Sequence, residues 1–189
     1  MLKKALTLLL AIALLAPVSA FAEATALPFG LKLGMNETQA EAAFAADPTL
    51  SAVKPDQQND GNGTIEYSFE QITVPDTDLT AYNLNIQIDR SNSKQADRLT
   101  MISYNLTPTG NGIGDFRKLL TVFTKQYGTP DTDPFNDDGT AEYVEWGSLN
   151  ADWTKDDLRI SLNLSRMYEQ SLSITYSSRI NYDASDLQE

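Results

Sequence analysis

Two stretches of nine residues, 76 positions apart, alternate apolar and polar side chains on the same beat. Residues 82–90 read YNLNIQIDR, with Tyr82, Leu84, Ile86 and Ile88 on one parity and Asn83, Asn85, Gln87 and Asp89 on the other. Residues 158–166 read LRISLNLSR, with Leu158, Ile160, Leu162 and Leu164 in phase and Arg166 answering Arg90. A period of two is that of a half-buried strand. Antiparallel sheets are the ones that commonly keep one face on the core and one in water. A chain that carries such a strand twice predicts a duplicated unit.

The neighbouring sequence fits that expectation. Residues 64–70 (TIEYSFE) place Ile65, Tyr67 and Phe69 inward, and residues 98–106 form the next strand. Polar, turn-rich connections at 74–80 and 91–97 predict a meander. The second unit echoes the first at Gly63-Thr64-Ile65-Glu66-Tyr67 against Gly139-Thr140-Ala141-Glu142-Tyr143, again 76 apart. Its last strand, 171–177, turns Leu172, Ile174 and Tyr176 inward. Matching Leu99 and Met101 to Leu172 and Ile174 gives an offset of 73, which implies a three-residue deletion.

A helix precedes each set of strands. After an extended segment at 29–35, Asn36 with Gln39 three residues on forms a capping-box pattern, Ala40, Ala43 and Phe44 make an apolar stripe, and Asp47-Pro48 stops the helix. Residues 55–63 (PDQQNDGNG) read as loop. After the punctuation of 108–114 (PTGNGIG), Asp115 is the expected cap of a helix with Phe116, Leu119, Leu120, Phe123 and Tyr127 on one face. Gly128 and Pro130 end it. The predicted class is α+β: two tandem helix-plus-antiparallel-meander repeats, residues 23–107 and 108–182, with the helices packed on one face of the sheet and a C-terminal tail at 183–189.

Residues 1–22 have the form of a secretory signal, with Lys3 and Lys4 ahead of an apolar run and Ala20-Phe21-Ala22 as the cleavage site. That predicts a periplasmic or secreted protein. The apolar run is too short to span a bilayer, so no membrane insertion is expected. The formal net charge is −12, and cleavage would remove two lysines and no acid. Such a chain repels nucleic acid, which is excluded as a partner on Coulomb grounds.

The chain has no His and no Cys. Ser-His-Asp and Cys-His catalysis are therefore excluded, with thiolate and imidazole metal sites. Carboxylate chemistry survives, and Glu66, Glu142 and Glu145 lie near strand starts. Glu66 and Glu142 alternate with inward Tyr67 and Tyr143, so solvated strand positions explain them better. A bulge at Val144-Glu145 would bury Trp146 and free Glu145. Asp131, Asp133, Asn136, Asp137 and Asp138 offer oxygen ligands. Counted as a calcium loop from Asp131, however, the fifth and sixth positions hold Phe135 and Asn136, and only Glu142 at the twelfth fits. Gly110-Asn111-Gly112-Ile113-Gly114 lacks the Gly-Lys-Ser/Thr ending of a phosphate loop and reads as a linker. No cofactor and no metal are expected.

The order of elements, tandem units of a helix followed by a meander, behind a secretory signal and in an acidic chain, resembles the β-lactamase inhibitor protein architecture. The start FGLKLGM-NETQAEAAF at residues 29–44 is similar to small envelope modules of the BamE type. The inhibitor's paired cysteines are absent here. The first resemblance implies protein binding across a polar sheet face, and it carries over no individual residue.

The leading expectation is therefore a non-catalytic module that binds another protein of the cell envelope or medium. A small-molecule or calcium-binding envelope protein is the alternative, and a carboxylate-based hydrolase comes third. The expected surface is Asn83, Asn85 and Gln87, flanked by an apolar strip from the next strand. There Leu99 and Met101 hold one parity and Ile102, Tyr104 and Leu106 the other, so without a bulge Ile102 and Tyr104 point away from the helices. An apolar centre with a polar rim is the composition of a protein interface.

Overall fold

The computed structural model describes residues 27–61, 63–90, 98–135, 147–165 and 170–179. It is an α+β fold. A 3-10 turn (Pro28–Gly30) leads to α1 (Glu37–Ala46) and the one-turn α2 (Pro48–Ser51). Strands β1 (Asp56–Asn59), β2 (Thr64–Thr73), β3 (Thr80–Asp89) and β4 (Arg98–Leu106) follow, then α3 (Ile113–Tyr127) and β5 (Ser148–Lys155), β6 (Leu158–Ser165) and β7 (Ser171–Ser178). All seven strands form one antiparallel sheet in the order β1-β2-β3-β4-β7-β6-β5.

Local chemistry sets the helix ends. Asn36 Oδ1 accepts from Gln39 N at 2.9 Å while Gln39 Oε1 accepts from Asn36 N at 3.0 Å, the reciprocal pair that the spacing predicts. Pro48 closes α1, and Asp47 Oδ1 caps α2 through Thr49 N and Leu50 N. Asp115 is not the cap of α3: Gly112 holds that position at φ 73°, and buried Asp115 sits in the first turn with its Oδ2 2.7 Å from Thr109 N and from Thr109 Oγ1. The side chain reaches back to fasten the segment after β4, so this buried polar group is not left without partners. A Cβ at Gly112 would lie 2.7 Å from Leu164 Cδ1 and 2.8 Å from Gln170 Nε2. Gly112→Ala should therefore lower stability by about 2 kcal/mol, from the left-handed backbone plus the displaced side chains. Urea unfolding measures it, and an unchanged midpoint would contradict the tight approach.

The core is one continuous apolar cluster drawn from both sets of strands and from α1 and α3. Phe44 of α1 meets Tyr67 and Phe69 edge-on at 5.2 and 5.3 Å between ring centroids. Phe123 of α3 meets Trp153 at 5.8 Å and Tyr176 at 6.3 Å. Trp153 Nε1 donates to Gly128 O at 2.8 Å, so the indole is buried without an orphaned donor.

Three expectations are corrected by the strands. The stretch 55–63 is not all loop, since residues 56–59 pair with β2. In β4, Ile88 stands opposite Leu99 but Gln87 stands opposite Met101, so Thr100 is an extra residue that resets the parity. Leu99, on one side of the bulge, and Ile102, Tyr104 and Leu106, on the other, are all buried. Ile102 and Tyr104 are core side chains, and the expected apolar surface strip does not exist. Tyr82, expected inward, is 50% exposed. Opposite it Gln71 takes φ 56°, and the burial pattern slips: Phe69 and Ile72 are buried around Glu70 and Gln71, and Ala81 and Leu84 around Tyr82 and Asn83.

Candidate functional site

The polar parity of the sheet forms three cross-strand rows. The middle row runs Ser68, Asn85, Ser103, Thr175, Ser161, Asp152. One side of it holds Glu66, Gln87, Met101, Ser177, Arg159 and Thr154, and the other Glu70, Asn83, Asn105, Ser173, Asn163 and Asn150. Most of these side chains are half-exposed. Thus Asn83, Asn85 and Gln87 do stand on one sheet face, and Ile102 and Tyr104 do not join them.

The rows are laced by short polar contacts. Asn83 Nδ2 donates to Ser68 Oγ at 2.9 Å, Gln87 Nε2 to Glu66 Oε2 at 3.1 Å, and Asn163 Nδ2 to Asn150 Oδ1. Ser103 Oγ and Thr175 Oγ1 lie 3.4 Å apart at the centre of the sheet, and Ser161 Oγ donates to Asp152 Oδ1. Arg159 Nη2 pairs with the same Asp152 oxygen at 3.1 Å. These contacts hold the side chains in place, although Asn83 Oδ1 and Asn85 Oδ1 accept no hydrogen bond among the described residues.

The carboxylates that come together do so around a phenol. Tyr67 Oη lies 2.8 Å from Glu37 Oε1 and 2.8 Å from Glu41 Oε1, with Gln57 Nε2 at 3.2 Å and Arg90 ion-paired to Glu37 Oε2. Burial, reinforced by the two glutamates, pushes the Tyr67 phenol far above its ordinary range. It is therefore a hydrogen-bond donor that ties α1 to β2 and the end of β3, since a nucleophile needs the opposite shift. Glu66 is half-buried on the polar parity, while Glu142 and Glu145, with the possible bulge beside them, lie outside the described residues. In the acidic loop Asp133 Oδ1 closes a local turn on Phe135 N at 2.9 Å, and residues 136–138 lie outside the described residues. Among the described residues no three acidic side chains converge as a metal site, and no helix is long and apolar enough to cross a membrane.

Sequence reasoning missed Asn105, Asn150, Asn163 and Tyr82 as members or neighbours of this face. The signal for the first three was present, because Asn is depleted in strands, and five of them fall in β3, β4, β5 and β6. No protein-family model, curated protein or solved structure matches the chain.

Proposed function

We propose that this is a non-catalytic binding protein of the periplasm or medium, and that the polar face of its sheet is the recognition surface. The observation that carries the reading is the set of three rows across six strands, in which amides and hydroxyls are fixed by one another and by the carboxylates of Glu66 and Asp152. Preorganised polar groups lower the ordering cost of binding. Supporting the absence of chemistry are the lack of His and Cys and a Tyr67 phenol held protonated between Glu37 and Glu41. The expected protein partner loses its apolar centre once Ile102 and Tyr104 are core. Immobilised protein should retain a ligand from envelope extract or culture medium, and Asn85→Lys with Ser103→Lys should abolish retention while the circular dichroism stays unchanged. Retention undiminished by those two charges would place the binding surface elsewhere.

The same proposal includes a duplicated architecture with both helices over one face. Its support is the register. Ile88 opposite Leu99 corresponds to Leu164 opposite Leu172, and beyond the bulge Ile86 opposite Ile102 and Leu84 opposite Tyr104 correspond to Leu162 opposite Ile174 and Ile160 opposite Tyr176. Thr100 explains why the offset of the last strand drops from 73 to 72, so that Ile102, not Met101, answers Ile174. In the first strand the partner of Leu84 is Phe69 and the partner of Ile160 is Trp153, an offset of 84. The echo at 139–143 lies outside the described residues. Phe44 on Phe69 and Phe123 on Trp153 then occupy matching places.

A further inference from the structure

Five of the described strands contribute one residue each to an uncharged run, Asn83, Asn105, Ser173, Asn163 and Asn150, in the row that begins at Glu70. The chain around it is strongly acidic. Asn is a poor strand residue, and Thr or Val at such positions would suit the pleat better. Residues that break a local rule without a packing return mark functional positions. Beside the first Asn stands Tyr82, the one large apolar side chain left exposed among the described residues. Glu70, exposed, continues the row beyond Asn83 and is its only charge on that side.

We infer that this row is a binding track for a linear, uncharged polysaccharide, an inference that rests on the polar face being the recognition surface. An amide offers two donors and one carbonyl acceptor, which matches sugar hydroxyls, each both donor and acceptor. The run from Asn83 to Asn150 offers no positive charge to a uronate or a sulfate, and Glu70 at its end and the negative charge of the whole protein repel both. Lack of an apolar centre selects against a protein, whose interface energy concentrates in buried aromatic and Arg anchors. Successive strands place one amide or hydroxyl about every 4.8 Å across the sheet, a spacing on the scale of successive sugars in an extended chain. Exposed Tyr82, next in sequence to Asn83, is the aromatic side chain available to a pyranose ring near that end of the track. Asn83 Oδ1, buried and without a hydrogen-bond partner among the described residues, leaves an acceptor unused at the start of the run.

Native electrophoresis through gels containing hydroxyethylcellulose, xylan, galactomannan or amylopectin, with alginate as the acidic control, tests the inference. The expected result is retardation in at least one neutral gel and none in alginate. Asn105→Thr with Asn163→Thr should remove at least tenfold of that affinity, and Tyr82→Ala a similar share, while the double Thr variant unfolds at the same or higher urea concentration. That separation matters, because a merely solvated row would gain strand preference and lose nothing. No retardation in any neutral gel, retardation in alginate, or equal retardation of the Thr variant overturns the track. If neutral gels fail while a protein is retained through Asn85 and Ser103, the recognition face stands and its glycan assignment falls.

Discussion

Tyr104→Ala should lower stability by about 3–5 kcal/mol in urea unfolding, the usual cost of removing a large aromatic from a core. Tyr104 is fully buried, paired with Leu84 and Ile174 across the middle of the sheet, with Phe29 at 6.3 Å and Tyr176 at 6.5 Å between ring centroids. A surface position would change stability by less than about 0.5 kcal/mol, so the two readings of this residue differ by a wide margin. Its hydroxyl has no hydrogen-bond partner among the described residues. Tyr104→Phe should accordingly be neutral or stabilising by about 1 kcal/mol, since an unsatisfied buried polar group is the only thing removed. A small loss for the Ala variant, or a large one for Phe, would mean that the ring is not seated where the sheet register puts it.

The second large effect is alkaline unfolding. Burial raises the phenols of Tyr104 and Tyr176 well above 10.0, and Tyr127 is raised for the same first cause. The raised folded-state value means that the native protein keeps its protons where the unfolded chain has lost them. Stability is therefore fully present below pH 10 and falls as pH rises beyond it. Each tyrosine so held costs about 1.4 kcal/mol per pH unit. Tyr104 and Tyr176 together give about 2.7 kcal/mol per unit, against a total stability of about 5–15 kcal/mol for a domain. The absorbance of the buried tyrosinates and the circular dichroism should change in one transition. Smooth titration of all eight tyrosines with the sheet intact would refute the buried cluster.

How much of this was legible in the sequence depends on what breaks periodicity. Strict alternation located β3, β6 and β7 and their inward residues from Leu84 to Ile88 and from Leu158 to Leu164, because each inward position is separately enforced by burial. Asn36 and Gln39 marked the start of α1 because the capping contacts lie within four residues. A bulge has no such local signature. Thr100 is an unremarkable strand residue, and its insertion is visible only against the register of Gln87 and Ile88, so alternation alone puts Ile102 and Tyr104 on the wrong face. The left-handed Gln71 hid Tyr82 in the same manner, since Tyr82 alternates perfectly with Leu84 in sequence and still turns outward. The polar face was half legible. Asn83, Asn85 and Gln87 share one strand, whereas the row through Asn105, Ser173, Asn163 and Asn150 exists only once the strand order is known.

The junction of β4 with β7 has a bearing on solubility. Cut at that seam, either half of the sheet would end in a strand of eight or nine residues with a fully apolar inner parity, Ile102, Tyr104 and Leu106 on one side and Leu172, Ile174 and Tyr176 on the other. Long open borders of this kind recruit other chains and drive aggregation. Here each is spent on the other. Among the described residues the borders that remain are β1, four exposed polar residues including Asp56, and β5, which is bridged by Thr132 and Asp131 at Asp152 and ends in Lys155. Short, charged or covered borders are how monomeric sheets refuse further strands, and in this molecule the two most adhesive ones are sealed against each other inside it.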